Sequence, residues 1–551
     1  MKRLFLINCR QPMVNAFGRL GCEVRSVHST ERYFDVAAKL AELEFVPDII
    51  LQQENLGRRV FLTGLRELDC LKIFWSVDTH LNMHWHGLYG SLFDGVLTTQ
   101  KKYVSRLEKC CEAKIHWMPW MGGHPGPETG TAAGLIPYGK REHDLTFVGR
   151  VSPERRARQW FVDFLKSGYN LHLVEGLNYS AMMEVYRQTR VVPNESIFGE
   201  VNFRLFEACS CGCAMVTPDA GPELGELFDI GREIMVYDDV LELKEILDRF
   251  ERDPDYAAMM GLAGYERVMR DHLPDNRAAA ILDFAEGLEK RSVSETEAGL
   301  LLCLVEAALG EAGDPVTDWP GLIKRLLALP QDFRRDGVLL RIFAVSGLKD
   351  LFLDVARSYM VRQDLEFDCY FCMSASLAAL KLGMWDIAKH FWYSWRTRNP
   401  GEKASVPADE VSLLLLWGDE LCRTGNTVRS GVTFNEVKGI PSCAADCYFA
   451  ALYLVPGSLA VFKKLDAVFS GVKGAEPTRL GFLSHLSLHA PDDWRTSADV
   501  GITSLKAFRL TEGMEELKHA RLLAAAEGRE RFFHRKIGTE LPRYFELVSE
   551  D

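Results

Sequence analysis

No stretch of this sequence comes near the roughly eighteen consecutive apolar residues that a membrane-spanning helix requires. An excess of positive charge is missing as well: 65 Lys and Arg face 77 Asp and Glu, a formal balance of -12. That balance leaves no broad basic surface for a nucleic-acid backbone or an anionic bilayer, so any phosphate binding has to be local. The 14 cysteines stand singly, as Cys110-Cys111 or as Cys209-x-Cys211-x-Cys213, without the regular spacing of a secreted disulfide framework. Only Leu4 to Ile7 separate Met1-Lys2-Arg3 from Asn8, too short an apolar run for a secretory signal but enough for a first buried strand. The expectation is a cytoplasmic protein, soluble or at most peripheral, with neither nucleic acid nor integral membrane contact among its partners.

What is present is the composition of a soluble globular protein, 47% hydrophobic and 26% charged, in a chain of 551 residues. That length exceeds a single core and predicts two to four domains. Up to about residue 120, short β-rich runs alternate with helical patterns: Leu4 to Ile7, Glu23 to Val27, Asp48 to Gln52, Lys72 to Val77, Gly95 to Thr98 and Ile115 to Met118. Such alternation predicts a parallel, doubly wound sheet. Glycine and proline then break every period in Met121-Gly-Gly-His-Pro-Gly-Pro-Glu-Thr-Gly130, as in an interdomain linker. A second alternation runs through Leu145 to Val148, Leu171 to Val174, Val191 to Pro193, Ala214 to Thr217 and Glu233 to Tyr237, and residues 254 to 290 read as helices that close back over both sheets. The expected division is 1–125, 126–292 and 293–551.

The last of these carries little strand signal and reads as all-helical. Gly383, Trp385, Ala388, Trp392 and Pro400 fall at the small, large, small, large and stop positions of a helix pair, a spacing that resembles a tetratricopeptide (TPR-like) repeat. One repeat buries its faces only against neighbours, for which the stretches near 300–330, 410–425 and 448–465 are degenerate candidates; an irregular helical bundle fits the same periodicity. Trp385, Trp392, Trp395 and Trp417 are expected in its core rather than on a sugar-stacking platform.

Chemistry concentrates in two segments of the second lobe. Leu145-Thr-Phe-Val-Gly-Arg150 ends a strand, and Val151-Ser-Pro-Glu-Arg155 is expected to open a helix. Gly149 permits close backbone approach, while Arg150 and Arg155 set two guanidinium forks beside a helix start, an anion site suited to a diphosphate. An ordinary strand-to-helix turn with solvated arginines is the plainer alternative. The second segment is Asn194-Glu-Ser-Ile-Phe-Gly-Glu-Val-Asn-Phe-Arg-Leu-Phe-Glu207-Ala-Cys-Ser-Cys-Gly212.

Together the two segments resemble the donor lobe of retaining GT-B glycosyltransferases. The resemblance implies an α/β GT-B fold of two Rossmann-like lobes and a nucleotide-sugar donor. It implies Arg150 and Arg155 as the basic pair, Glu207 gripping the nucleotide ribose, Gly221-Pro222-Glu223 facing the diphosphate, Asn202 beside the donor and Arg204 in the catalytic set. The family's earlier glutamate, eight positions before the second, is here Gly199, with Glu200 one residue out of register. That departure, with Asn202-x-Arg204 and Glu226-Leu-Phe-Asp-Ile-Gly-Arg-Glu233, is more similar to the spore-maturation-type GT-B subfamily over residues 70–290. Stereochemical outcome and any role for Glu200 stay open, and the helical half lies outside the resemblance.

Loss of a nucleoside diphosphate from a sugar carbon calls for positive charge at the leaving oxygens. Asp253-Pro-Asp255, the one Asp-x-Asp, sits where a helix start wants a cap rather than at a strand end, so no metal and no other cofactor is expected. In the first lobe, Phe74-Trp-Ser-Val-Asp78-Thr-His80-Leu-Asn-Met-His84-Trp-His86 follows a strand end. Three readings fit: His80, His84 and His86 as zinc ligands; Asp78 or His80 as general base on an acceptor hydroxyl or as a guide for the donor sugar; or capping residues that shape the cleft. The catalytic set expected is Asp78, His80 and Arg204, with Gly149, Arg150, Arg155, Asn202, Glu207, Gly221, Pro222 and Glu223 on the donor. Cys209, Cys211 and Cys213 are spaced too tightly for tetrahedral zinc and are expected to pack.

The function these readings favour is metal-independent transfer of a sugar from a nucleotide donor to a protein or glycan acceptor docked by the helical half. A catalytically degenerate scaffold and a sugar-nucleotide epimerase fit the same residues.

Overall fold

The computed structural model describes residues 1–124, 134–362, 368–396 and 405–548. In the first lobe the chain forms β1 (Arg3–Ile7), β2 (Glu23–Val27), β3 (Tyr33–Asp35), β4 (Ile49–Gln53), β5 (Phe61–Thr63), β6 (Leu71–Ser76), β7 (Gly95–Thr98) and β8 (Lys114–Trp117). Six of them make a parallel sheet in the order β2-β1-β4-β6-β7-β8, while β3 and β5 pair as a separate ribbon that the sequence pattern did not foretell. The helices of this lobe are α1 (Gln11–Arg19), α2 (Val36–Glu42), α3 (Thr79–Gly90) and α4 (Val104–Leu107).

Side chains alternate across the sheet with period two. Leu4, Leu6, Ile49, Leu51, Ile73 and Trp75 face one way, onto Met13 and Phe17 of α1. Phe5, Ile7, Ile50, Phe74 and Val96 face the other, onto Trp85 and Tyr89 of α3. Both faces being apolar, both need cover.

The second lobe contains β9 (His143–Val148), α5 (Arg156–Gly168), β10 (Leu171–Val174), α6 (Tyr179–Arg187), β11 (Thr189–Pro193), α7 (Phe203–Ser210), β12 (Ala214–Pro218), α8 (Glu223–Leu227), β13 (Met235–Tyr237), α9 (Val240–Arg252), α10 (Pro254–Asp271) and α11 (Pro274–Glu286). Its five strands are parallel, in the order β10-β9-β11-β12-β13. Asp253 caps α10 by accepting from the Tyr256 N–H, the capping role its position suggested. The helix after Gly149-Arg150 begins at Arg156, not at Val151: Pro153 biases Ser152 away from helical angles, and Ser152 to Arg155 form a turn first.

From the second lobe α11 returns to the first. Its Ile281 and Phe284 join the cluster of Leu4 and Met13, Arg19 holds Asp275 through two 2.7 Å bonds, and the Arg277 guanidinium donates to the Trp120 carbonyl. Two Rossmann-like lobes closed by a returning C-terminal helix constitute the GT-B fold. The centre of the expected linker, 125–133, lies outside the described residues.

The remaining described chain is helical throughout: α12 (Glu295–Glu311), α13 (Trp319–Ala328), α14 (Phe333–Val345), α15 (Lys349–Met360), α16 (Cys369–Lys381), α17 (Trp385–Arg396), α18 (Glu410–Arg423), α19 (Ala444–Leu454), α20 (Leu459–Phe469), α21 (Glu476–His489), α22 (Trp494–Lys506), α23 (Leu510–Ala526), α24 (Glu530–Glu540) and α25 (Tyr544–Val548). Ser294, Asp318, Asp332, Asp368, Asp409 and Asp493 cap six of these helices with their side chains. The TPR-like spacing falls on the packed pair α16–α17, joined through Gly383 at φ +74°, with Ala388 and Trp392 buried; Pro400 lies outside the described residues. Trp417 is fully buried and donates to Ser376, so it belongs to the core, as does Trp392.

This half is joined to both lobes. Leu301, Val305 and Leu309 of α12 complete the second face of the first sheet. At roughly 1.5–3 kcal/mol per buried side chain, the three contribute as much as a small domain's whole net stability. At the other end, Trp494, Ile502 and Leu505 of α22 bury Val240 and Leu241 of α9, and the Phe508 ring meets Phe161 and Tyr237. The helical half is therefore a strap across both lobes rather than an appendage.

Candidate functional site

The site begins where β4 and β6 end. Glu54, directly after β4, accepts from the N–H groups of Val77 and Asp78 at 2.7 and 2.8 Å and from Asn82 at 2.8 Å, and it meets His86 at 3.0 Å. Burial opposes its charge, yet His86 and the two backbone donors hold its carboxyl below the usual range. Glu54 thus fixes the start of α3, and no sequence motif pointed to it. His86 is clamped between Glu54 and Ser76 Oγ, 2.8 Å away, so its role is structural.

Asp78, at the N-cap of α3, uses no side-chain cap bond. Burial and the neighbouring Glu54 charge push its pKa up to about 7, against the pull of His80 and Arg155. His80, 1% exposed, places Nε2 2.9 Å from Glu200 Oε2 of the second lobe. Burial disfavours the imidazolium, but the charge and hydrogen bond of Glu200 outweigh it and raise the His80 pKa; the same contact holds Glu200 low. His80 Nδ1 is buried without a partner.

Glu200 reaches this position through a strained loop. Phe198 and Gly199 both have positive φ, 53° and 66°. A Cβ on Gly199 would lie 3.1 Å from the Lys473 Cβ and 3.2 Å from the Lys102 Nζ. Position 199, where the resemblance led one to expect a glutamate, holds a glycine that suits this backbone, and the next residue carries a carboxylate into the junction. The first lobe grips the loop through Gln100, whose amide both donates to and accepts from the Val201 backbone, and through Lys102, which donates to the carbonyls of Phe198 and Gly199.

On the donor side, Arg204 donates to the Val148 carbonyl at 2.8 Å and to Asn194 Oδ1 at 2.5 Å, and lies 4.3 Å from the Phe147 ring. It binds two strand ends together. A Cβ on Gly149 would stand 2.8 Å from its NH2, so the glycine makes room for Arg204. Asn202, preceding α7, bonds Asn194 and the Glu195 carbonyl. Arg150 is exposed; Arg155 is exposed too, but its charge reaches Glu195, Glu200 and Asp78. Beside it, buried Arg158 is paired with Glu195 at 2.6 Å, an ion pair that the sequence reading missed.

Glu207 is buried, with its pKa pushed up to about 6 by desolvation against the pull of Arg10 and Arg204. Arg10, from the loop after β1, stands 3.9 Å from it and stacks on Trp120 and Phe203. Gly221 has φ +117° and donates its N–H to Asp219, Pro222 is the N-cap of α8, and Glu223 is 2% exposed with Oε1 unpartnered. Burial raises the Glu223 pKa in spite of the nearby Lys102 charge. Lys473 of the helical half bonds Asp219 at 2.7 Å, so the strap touches this loop directly.

Cavities lie where the three parts meet. One of about 780 Å³ is lined by Arg155, Arg158, Phe198 and Arg429; another, of about 440 Å³, by His80, His84, Tyr370 and Arg429.

Ligand atoms of Asp78, His80 and Glu200 lie within 4.8 Å of one another, the one such trio among the described residues. It is not the histidine set that the sequence suggested: His86 is bonded to Glu54, and His84 faces the smaller cavity. Within that trio His80 and Glu200 are bonded directly, 2.9 Å apart. Cys209, Cys211 and Cys213 are fully buried, the thiols of Cys211 and Cys213 donating to the carbonyls of Met183 and Tyr186, so they pack as expected.

Residues 138–283, the second lobe, match the family described as glycosyl transferase-like. No curated protein matches the sequence. Among solved structures, a glycosyltransferase from Rickettsia africae is similar over 52% of this chain and 98% of its own, at 11% identity and a TM-score of 0.38. Sucrose-phosphate synthase from Thermosynechococcus elongatus is similar over 52% and 98%, at 12% identity and 0.37. The HepE protein of Anabaena in complex with UDP is similar over 52% and 100%, at 12% identity and 0.36. The GT-B architecture itself follows from the two sheet orders and the returning helix α11.

Proposed function

We propose that this chain is a glycosyltransferase that moves a sugar from a nucleoside-diphosphate donor, without a metal ion, to an acceptor held between the first lobe and the helical half. The observation that carries the reading is the meeting of His80 and Glu200 across the lobe junction, within the electrostatic reach of Arg155, in a chain whose second lobe matches glycosyl transferase-like proteins. Arg155 and Arg150 supply positive charge for the diphosphate, and Glu207 beside Arg10 accepts from the ribose hydroxyls. The acceptor hydroxyl gives its proton to His80 Nδ1, or to Asp78, as its oxygen bonds to the sugar carbon. The bond from that carbon to the diphosphate oxygen breaks, and the electron pair leaves with the nucleotide. Glu200 holds the imidazole in place.

Metal independence is part of this reading: Arg150 and Arg155 would supply the charge that a cation supplies elsewhere. The fourteen free cysteines support a reducing cytoplasm, and the α16–α17 pair supports a TPR-like reading of the strap. The test is calorimetry of UDP, GDP and ADP against wild type, Arg155→Ala and Glu207→Ala. Binding of one nucleotide that weakens in both variants is expected; no binding of any of them sinks the reading and favours a non-catalytic scaffold. Release of an inverted free sugar nucleotide without acceptor would identify an epimerase instead.

A further inference from the structure

The 440 Å³ cavity beside His80 falls within the roughly 300–1,000 Å³ of small-molecule sites, and the helical half supplies most of its wall. Most of its charged groups are already matched. Arg334 holds Glu297 through two 2.8 Å bonds, Arg429 lies between Glu311 and Asp446 at 3.9 and 3.6 Å, and Asp368 caps α16. Arg106 is exposed and stacks on Tyr103.

What is unmatched is neutral or single-atom. Both ring nitrogens of His84, Nδ1 of His80 and Nε of Arg429 are buried without a hydrogen-bond partner. Burial, with Arg429 adding to it, drives the His84 pKa down to about 3, so its ring offers one donor and one acceptor at any physiological pH. With the Nε2 hydrogen of His80 directed at Glu200, its Nδ1 adds an acceptor, and Arg429 adds a donor. Met83, Leu88, Leu304 and Val338 provide an apolar wall against these groups. Unpaired buried polar atoms cost free energy unless a ligand completes them.

Alternating donors and acceptors opposite an apolar wall suit a ring that carries hydroxyls on its rim and C–H groups on its face. We propose that this cavity is the acceptor subsite and that it takes a neutral sugar ring, either free or as the terminal residue of a glycan. The assignment rests on the glycosyltransferase reading and adds the acceptor's class to it. A hydroxyl of such a ring, set against Nδ1 of His80, is the group that would lose its proton in the transfer. A folded protein surface does not fit within the cavity.

The test uses the full chain in two variants, Ala308→Trp, which fills the cavity, and His84→Phe, which removes one donor and one acceptor. Neither touches the donor-side residues. Binding of methyl glycosides of glucose, galactose, mannose and N-acetylglucosamine is read by saturation-transfer NMR without nucleotide, and binding of longer chains on a glycan array; the two arms separate a free sugar from a glycan terminus. At least one sugar is expected to bind wild type, to be lost in Ala308→Trp and to weaken roughly tenfold in His84→Phe. Nucleoside-diphosphate binding should be unchanged in both. Absence of sugar binding to wild type, sugar binding unchanged in both folded variants, or competition by a serine- and threonine-containing peptide with no sugar bound would each overturn the proposal. Sugar binding without nucleotide binding would overturn the donor reading and with it the acceptor role, and would leave the cavity a sugar site only.

Discussion

Nε2 of His80 and Oε2 of Glu200 stand 2.9 Å apart, and this single bond joins the strand-end platform of the first lobe to the strained loop of the second. In the proposed mechanism it ties the protonation of His80 to the contact between the lobes, because Glu200 raises the His80 pKa through that contact. Opening the cleft would return the imidazole toward its ordinary value.

The pH profile of Glu200→Gln should show this dependence. A general base acts deprotonated, so a raised pKa sets the acidic limb of kcat/KM above the ordinary histidine range. The glutamine preserves a hydrogen-bond acceptor but removes the charge; the limb should move to lower pH, while His80→Phe loses about 10²-fold or more of kcat. Because Glu200 also raises the Asp78 pKa, a limb that stays in place in Glu200→Gln would remove both His80 and Asp78 as the base.

How much of this was legible follows from which signals are local. The strands were, since apolar runs such as Leu4 to Ile7 and Ala214 to Thr217 are buried on both faces and declare themselves by composition. So was the cap at Asp253. Glu54, Arg10 and Arg158 were not: their partners Asp78, Glu207 and Glu195 lie 24, 197 and 37 positions away, and only the fold brings them together. The ribbon of β3 and β5 escaped because three-residue strands carry no period. Glu200 escaped because register counting assumes regular backbone, which the positive φ of Phe198 and Gly199 breaks.

Stability should reflect the cost of Asp78. Its pKa moves from 3.8 to about 7 on folding, so the folded state keeps a proton that the unfolded state has lost. Stability therefore falls as pH rises from about 4 to 7, by at most about 4 kcal/mol at about 1.4 kcal/mol per unit. Asp78→Asn should raise the melting temperature at pH 8 and lose that advantage near pH 4. Equal melting temperatures at both pH values would show that the carboxyl is not desolvated.

The two neighbouring arginines should separate cleanly. Arg158→Met leaves Glu195 buried and unpaired and is expected to cost about 3–5 kcal/mol in urea unfolding. Exposed Arg155→Ala should leave the unfolding midpoint unchanged while weakening nucleoside-diphosphate binding by roughly tenfold or more. Normal nucleotide affinity in Arg155→Ala would remove it from the donor site.

Chelation addresses the Asp78, His80 and Glu200 trio. If the direct His80–Glu200 bond is the working state, exhaustive EDTA treatment leaves both activity and melting temperature unaltered. If instead a cation belongs there, dialysed protein should lose activity and regain it with a defined divalent ion, and Glu200→Gln should abolish the regain.

Gly199 offers the last test, because its φ of 66° and its 3.1 Å clearance from the Lys473 Cβ make it a junction between loop and strap. Gly199→Ala forces a side chain into left-handed backbone, at about 1–2 kcal/mol, and pushes against a turn of the helical half. Stability should fall by that amount and activity should fall with it, since the displaced loop carries Glu200 away from His80. Gly199→Glu, which places the glutamate where the sequence resemblance led one to expect it, should do worse on both counts, because the carboxylate enters where Lys473 packs and not where His80 waits. Activity preserved or improved in Gly199→Glu would mean that position 199, rather than Glu200, supplies the working carboxylate.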